Sequence, residues 1–272
     1  MVLSEDASSE LMQGDATTIP SSENVLDGVD KKATISIILP TFNEAENVPR
    51  LIGSIFSVLA SAEFEIVVID DGSPDGTADL CQGIGMACGK IKVIVRDGKK
   101  GLASAIIDGI REASSDHVVV MDADFQHPTE ILPFLYAEKE NGYDILIGSR
   151  YVDGAVVKDW GFARKLISRG AIRMAHWFLP KTRGVRDPIS GLFMIKKRVI
   201  EGVDFDLIGY KILLEILTKG NYCVVREVPY TFSSRRGGKS KISIGEIYNY
   251  CKLVYRLSKQ QAALKQKGNR KP

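Results

Sequence analysis

No stretch of the sequence approaches the roughly eighteen consecutive apolar residues that a membrane-spanning helix needs, so none is predicted. The first residues also lack the basic patch and apolar run of an export signal, and the chain is expected to be neither exported nor membrane-spanning by itself. Cysteine is scarce: the 4 present, Cys81, Cys88, Cys223 and Cys251, include no pair two residues apart and no histidine partner at zinc spacing. That excludes a zinc framework and predicts free thiols in a reducing compartment. A net charge of +2 excludes a protein built to coat nucleic acid, because such domains concentrate an excess of Lys and Arg. No internal repeat is visible.

The charge that is present is unevenly placed. Before Lys31 the acids Glu5, Asp6, Glu10, Asp15, Glu23, Asp27 and Asp30 have no basic counterpart, whereas after Glu246 there are Lys and Arg and no acids. Residues 1–32, polar and without apolar period, are expected to form a disordered acidic tail, and residues 265–272 a basic one. At 44% hydrophobic residues the remainder can bury a sizeable core. From Thr34 onward, apolar β-branched runs (Ile35 to Leu39, Glu65 to Ile69, Ile91 to Val95, Val118 to Met121, Tyr143 to Ile147) alternate with helix-length amphipathic segments. The alternation predicts an α/β domain over residues 33–242, with a mostly parallel central sheet flanked by helices. Asn43 with Glu46 predicts an N-cap ahead of a helix from Val48 to Leu59, and Thr77 opens another to Cys88. Helices from Phe162 to Phe178 and near Tyr210 to Lys219, with strands Leu192 to Ile195 and Cys223 to Val228, complete the expected core.

Residues 243–264 predict a last, amphipathic helix. At about 100° per residue, Ile244, Ile247, Tyr248, Cys251, Val254 and Tyr255 fall together, widened by Tyr250, Leu253 and Leu257, with Lys252, Arg256 and Lys259 on the remaining side. Such a face suits burial against the domain or contact with a membrane surface or membrane-embedded partner.

The strongest chemical signal is Asp122-Ala123-Asp124, directly after an apolar strand. Residues two apart in extended chain point to one side, so both carboxylates can face one cation, and Gln126 adds an amide oxygen. That donor set suits Mg²⁺ or Mn²⁺, with open positions for phosphate oxygens. Taken alone, Asp-x-Asp also occurs as an ordinary cap or turn. A second pair, Asp70-Asp71, ends another apolar strand, where ligands bind in open α/β sheets. One of the two can serve a base or ribose while the other organises the turn through Asp75-Gly76. At the first strand end Asn43 reads as a cap, and Glu44 can accept hydrogen bonds from a nucleotide.

Three segments in this order resemble the family-2 glycosyltransferases that make dolichyl-phosphate mannose: Ile37 to Glu44 (IILPTFNE), Ile69 to Thr77 (IDDGSPDGT) and Met121 to Pro128 (MDADFQHP). Gly148-Ser149-Arg150-Tyr151, Ser168-Arg169-Gly170-Ala171, Asp187-Pro188-Ile189-Ser190-Gly191, and Arg235 with Gly238, Ser240 and Lys241 continue the match, which covers roughly residues 34–255. The resemblance implies a GT-A type fold and a nucleotide-sugar pocket from Pro40, Phe42, Glu44, Ile69, Asp71, Asp122, Ala123 and Asp124. It implies a metal and diphosphate site at Asp122, Asp124 and Gln126, with Arg235 and Lys241 closing over the donor. Phe42 departs from the family's usual Tyr, keeping a ring and losing a hydroxyl; Ala103 replaces a family Gly. Arg150, Arg164 and Arg169 are the candidates for an acceptor phosphate, because guanidinium binds phosphate oxygens bidentately.

The implied substrates are GDP-mannose and dolichyl or another polyprenyl phosphate. A phosphate monoester, with a second pKa of about 6, is mostly a dianion near neutral pH and needs little help from a base. Direct displacement with inversion is therefore expected, with Asp187 as the base if one is used and a turn residue before Pro188 otherwise. Because the acceptor is a membrane lipid, the resemblance also implies peripheral attachment to the cytoplasmic face of the endoplasmic reticulum, alone or through small transmembrane subunits. UDP-glucose as donor, and a silent nucleotide-binding scaffold, are the alternatives. The first is separated by nucleotide preference, the second by turnover.

Overall fold

The computed structural model describes residues 33–98, 100–158, 160–233 and 244–268. The acidic tail, the last residues of the basic tail, and Arg235 and Lys241 lie outside the described residues.

The elements in chain order are β1 (Ile35–Thr41), α1 (Val48–Val58), β2 (Phe64–Asp70), α2 (Thr77–Cys88), β3 (Ile91–Val95), α3 (Leu102–Glu112), β4 (His117–Val120), α4 (Leu132–Glu138) and β5 (Ile145–Ser149). They continue with β6 (Val156–Val157), α5 (Phe162–Phe178), β7 (Phe193–Lys196), α6 (Ile212–Lys219), β8 (Val225–Pro229), β9 (Thr231–Phe232) and α7 (Ile244–Gly268). Seven strands form one sheet in the order β3-β2-β1-β4-β7-β5-β8. All neighbours in it are parallel except β7, which runs antiparallel between β4 and β5.

Strand β1 shows why the runs are continuously apolar. Every residue of it is buried: Ile35, Ile37 and Leu39 pack on one face of the sheet with Leu51, Ile52 and Ile55 of α1, while Ile38 packs on the other with Ile107 and Ile110 of α3. A strand covered on both faces has no polar side to alternate with. Helix α3 lies so close that a Cβ at Gly109 would fall 2.5 Å from Ile38 Cγ2, so only glycine fits there. The chain steps outward from β1 to β3 and then returns to place β4 on the other side of β1. That reversal opens a crevice at the carboxyl ends of β1, β2 and β4.

Two expectations change. Helix α1 begins at Val48 after Asn47, with Pro49 preset for its first turn, and Asn43 is not its cap. Asn43 instead takes a left-handed conformation (φ 58°) and donates its N–H to Ser73 Oγ at 2.9 Å. In α7 the buried seam is Tyr250, Leu253, Val254 and Leu257, packed on Ala175, Leu179 and Leu214. Of the rest of the apolar arc, Tyr248 and Tyr255 face out, while Ile247 and Cys251 border the crevice. Of the two uses foreseen for this helix, burial against the domain is seen in that seam. No helix among the described residues is long and apolar enough to cross a membrane.

Candidate active site

The loops after β1, β2 and β4, with α5, the start of α6 and one side of α7, enclose a cleft of about 990 Å³. The first two loops hold each other. Thr41 Oγ1 donates to Asp70 Oδ2 at 2.8 Å, Glu44 N–H to Thr77 Oγ1 at 3.0 Å, and Ala45 N–H to Asp75 Oδ2 at 3.1 Å. The adjacent acids divide their labour. Asp70 organises the turn, accepting from Ser73 N–H at 2.7 Å and Ser73 Oγ at 2.6 Å. Asp71 lines the cleft, anchored by the Arg96 guanidinium on Oδ1 and by Gly101 N–H on Oδ2 at 2.9 Å. Arg96 in turn bonds Ser104 and Asp108, fixing the start of α3 to the same loop.

Pro40, Phe42, Glu44 and Asp71 line the cleft as the sequence predicted, but Ile69 does not. It is fully buried between the sheet and α3, because the strand's pleat turns its side chain into the core.

Asp122, Ala123, Asp124 and Gln126 meet in the cleft, though by a turn rather than by the pleat of a strand. β4 ends at Val120, Phe125 is left-handed (φ 60°), and Asp124 Oδ1 accepts the Gln126 N–H at 3.0 Å. Asp122 Oδ2 lies 3.2 Å from His127 Nε2, and a Cβ at Gly191 would fall 3.1 Å from both atoms. Glycine there keeps the space around the Asp122 carboxylate open. Gln126 Nε2 and His127 Nδ1 are buried without a protein hydrogen-bond partner among the described residues. Among the described residues no three His, Cys, Asp or Glu side chains cluster as a metal site. The donor set is instead two carboxylates and an amide, all oxygen donors of the hardness that Mg²⁺ or Mn²⁺ takes, and the residues fit such an ion.

Across the cleft, Arg150 is held by Asp187. Its Nε donates to Oδ2 at 2.8 Å, its Nη2 to Oδ1 at 2.7 Å and its backbone N–H to Oδ2 at 3.0 Å. Burial alone would depress the Arg150 pKa, but the Asp187 charge and hydrogen bonds turn the net shift upward. Asp187 has no exposed surface and does not line the cleft; its own N–H donates to Glu227 Oε1 at 2.9 Å. Arg164 lies 4.5 Å above the Trp160 ring, and Arg150 lies 5.4 Å from the same ring. Burial and then the Arg150 charge hold Arg164 below the usual guanidinium range. Arg169, expected beside them, is exposed on α5 and does not line the cleft, since the helix turns it outward.

His127, Trp160 and Lys211 also line the cleft, and no local sequence pattern marks them as site residues. His127 stands in the third motif, but reads there as part of its tail. Lys211 reads as the first turn of an amphipathic helix, yet α6 begins one residue later and the lysine turns into the cleft.

The model of the family described as glycosyl transferase family 2 matches residues 36–203. The dolichol-phosphate mannosyltransferase of Pyrococcus furiosus is 49% identical over 85% of this chain, a match spanning 65% of that protein's length, just under two thirds. The dolichol-phosphate mannosyltransferase of Mycosarcoma maydis is 34% identical over 82% of this chain and 78% of its own. Among solved structures, mannosyl-3-phosphoglycerate synthase from Rubrobacter xylanophilus superposes with a TM-score of 0.63 at 20% identity, covering 88% of this chain and 76% of that one. The fold is the expected GT-A type.

Proposed function

This chain belongs to glycosyl transferase family 2, and from that premise we propose that it transfers mannose from GDP-mannose to dolichyl phosphate, with inversion, giving dolichyl-phosphate mannose. The observation that carries the reading is one cleft with two chemically distinct walls: Asp122, Asp124 and Gln126 on one, Arg150 and Arg164 on the other. It is supported by relatives named for this activity that match across most of the chain.

The donor nucleotide lies over Pro40, Phe42, Glu44 and Asp71, and its diphosphate reaches toward Asp122 and Asp124. A divalent ion, Mg²⁺ or Mn²⁺, held by Asp122, Asp124 and Gln126, would neutralise the diphosphate and stabilise it as leaving group. Arg235 and Lys241, outside the described residues, belong to the same donor site in this reading. Arg150 and Arg164 orient the acceptor phosphate, whose oxygen attacks the anomeric carbon as the bond to GDP breaks. The acceptor is already a dianion near neutral pH, so no proton has to move. Asp187 then positions Arg150 and takes no proton itself.

The lipid acceptor requires a membrane surface, and the outer side of α5 suits one. Phe162, Leu166, Arg169, Arg173 and Trp177 lie on one side of that helix and are exposed, while Ala171 and Met174 of the same helix line the cleft. We place this side on the cytoplasmic face of the endoplasmic reticulum. The test is the purified chain with GDP-mannose or UDP-glucose and a polyprenyl phosphate, with and without Mg²⁺ or Mn²⁺. Mannolipid formed from GDP-mannose only with metal is the expected result; glucolipid from UDP-glucose instead overturns the donor, and no product from either overturns the activity.

A further inference from the structure

The acceptor wall is short of positive charge. The phosphate it is read to bind carries two negative charges near pH 7, but the charge of Arg150 is cancelled by its bidentate partner Asp187. Arg169 points away, which leaves Arg164 as one net cation of the expected set. A half-buried dianion facing one net positive charge is poorly compensated.

Lys211 stands where the second charge is needed. It lines the same cleft, half-buried, and donates from Nζ to the Ile189 carbonyl at 3.2 Å. That carbonyl begins the segment Ile189-Ser190-Gly191, which ties the two walls together. Ser190 Oγ donates to the Gly148 carbonyl at 2.6 Å, two residues before Arg150, and Gly191 abuts the Asp122 carboxylate. Lys211 is thus held between the arginine wall and the metal wall. The helix behind it is rigid, since Ile212 and Leu213 are buried in the core. An ammonium carries three donors; one goes to the Ile189 carbonyl, and the Asp122, Asp187 and Glu246 carboxylates act on this one through their charge.

We propose that Lys211 is a further cation of the acceptor subsite, presenting its ammonium to the oxygens of a phosphomonoester beside Arg150 and Arg164. The proposal rests on the functional reading above for the class of ligand, not for the identity of the sugar. Burial, and then the Arg150 charge, push the free amine down to about 8, so at neutral pH it is mostly charged. An arriving dianion favours that charged form.

The experiment measures binding, not turnover. Calorimetric titration with a short, water-soluble prenyl monophosphate, and separately with GDP and Mg²⁺, is made on the full chain and on Lys211→Met, Lys211→Gln and Lys211→Arg. Hydrogen bonds to charged groups are worth roughly 1.5–3 kcal/mol, so the monophosphate should bind about 10- to 100-fold more weakly to the Met and Gln variants. GDP affinity should stay within about twofold, and the Arg variant should recover most of the loss. Gln keeps a donor for the Ile189 carbonyl, so it decides the matter if the Met variant fails to fold. Wild-type monophosphate affinity in Lys211→Gln overturns the proposal. So does a parallel fall in GDP affinity and melting temperature, which would make Lys211 a strap for the Ile189 segment. Failure of the chain to use GDP-mannose would sink the donor assignment and leave this titration unaffected.

Discussion

The Asp187 carboxylate grips the Arg150 guanidinium with both oxygens, at 2.8 and 2.7 Å, and accepts the Arg150 backbone N–H as well. Both groups are buried, so the pair is a fixed, net-neutral unit whose remaining guanidinium N–H groups are the ones open to the cleft. Removing the carboxylate leaves a buried charge uncompensated, which typically costs about 3–5 kcal/mol. Asp187→Ala should therefore lose about that much stability by chemical denaturation. Asp187→Asn, which keeps much of the shape, should raise the KM for the lipid phosphate far more than that for GDP-mannose. If Asp187 were instead the base, the Asn variant would lose kcat with little change in either KM.

Gly191 gives a second handle on the metal wall, independent of the carboxylates. A methyl group there falls 3.1 Å from Asp122 Oδ2 and His127 Nε2, tighter than ordinary van der Waals contact, so one of these side chains must give by a few tenths of an ångström. Gly191→Ala and Asp124→Asn should each reduce metal-dependent GDP binding at least tenfold while leaving the melting temperature of the metal-free protein within a few degrees. Thermal-shift curves with GDP and Mn²⁺, with and without chelator, read both quantities. Unchanged metal dependence in Asp124→Asn would remove the carboxylates from the ion.

The sheet and most helices were legible in the sequence because strands covered on both faces are written as unbroken β-branched runs, as at Ile35 to Leu39. The cleft was legible where its residues follow a strand directly, as Asp71, Asp122 and Asp124 do. What stayed hidden depended on a helix's rotation or on contacts distant in sequence. Nothing local distinguishes Arg164, which faces the cleft, from Arg169, which does not. Lys211 is separated from Asp122 by two helices and three strands, and only the fold brings them to one cleft. The α7 seam takes only part of the expected apolar arc, and periodicity cannot say which part packs.

Asp144 ties β5 to β8 and should be visible in acid unfolding. It is 4% exposed, accepts the Cys223 and Val224 N–H groups at 2.8 and 3.0 Å, and pairs with Arg198. Burial works against the charged form, but these hydrogen bonds and the Arg198 charge win, and its pKa falls to about 2. A carboxyl depressed on folding contributes stability that is full above its unfolded value near 3.8 and is lost as pH falls through about 2. At 1.36 kcal/mol per unit the contribution is on the order of 2 kcal/mol. Asp144→Asn should be less stable than wild type by about that amount at pH 7, with the gap closing toward pH 2. A gap that does not narrow in acid would show that the loss is steric.

The membrane face is best tested on α5 and on the outer side of α7. Truncation from Ile244 would remove Leu253, Val254 and Leu257 from their packing on α5 and α6, so lost activity would not separate a membrane role from a structural one. Phe162 and Trp177 are 83% and 75% exposed, and Tyr248 and Tyr255 are 65% and 58% exposed; none of these rings is held in the core. Arg169 and Arg173 beside the first pair, and Lys252 beside the second, add an attraction of about 1 kcal/mol each near an anionic surface. Aromatic rings favour the headgroup region, so the two contributions separate by salt. Phe162→Ser with Trp177→Ser should leave GDP affinity and melting temperature unchanged, yet lose flotation with anionic liposomes and raise the KM for long polyprenyl phosphates. Arg169→Gln with Arg173→Gln should weaken flotation at low salt and match wild type at high salt. Short water-soluble prenyl phosphates should be used equally well by all of these variants, because they reach the cleft from solution. If the serine variant still floats and still glycosylates the long lipid at wild-type rate, α5 is not the face that meets the membrane.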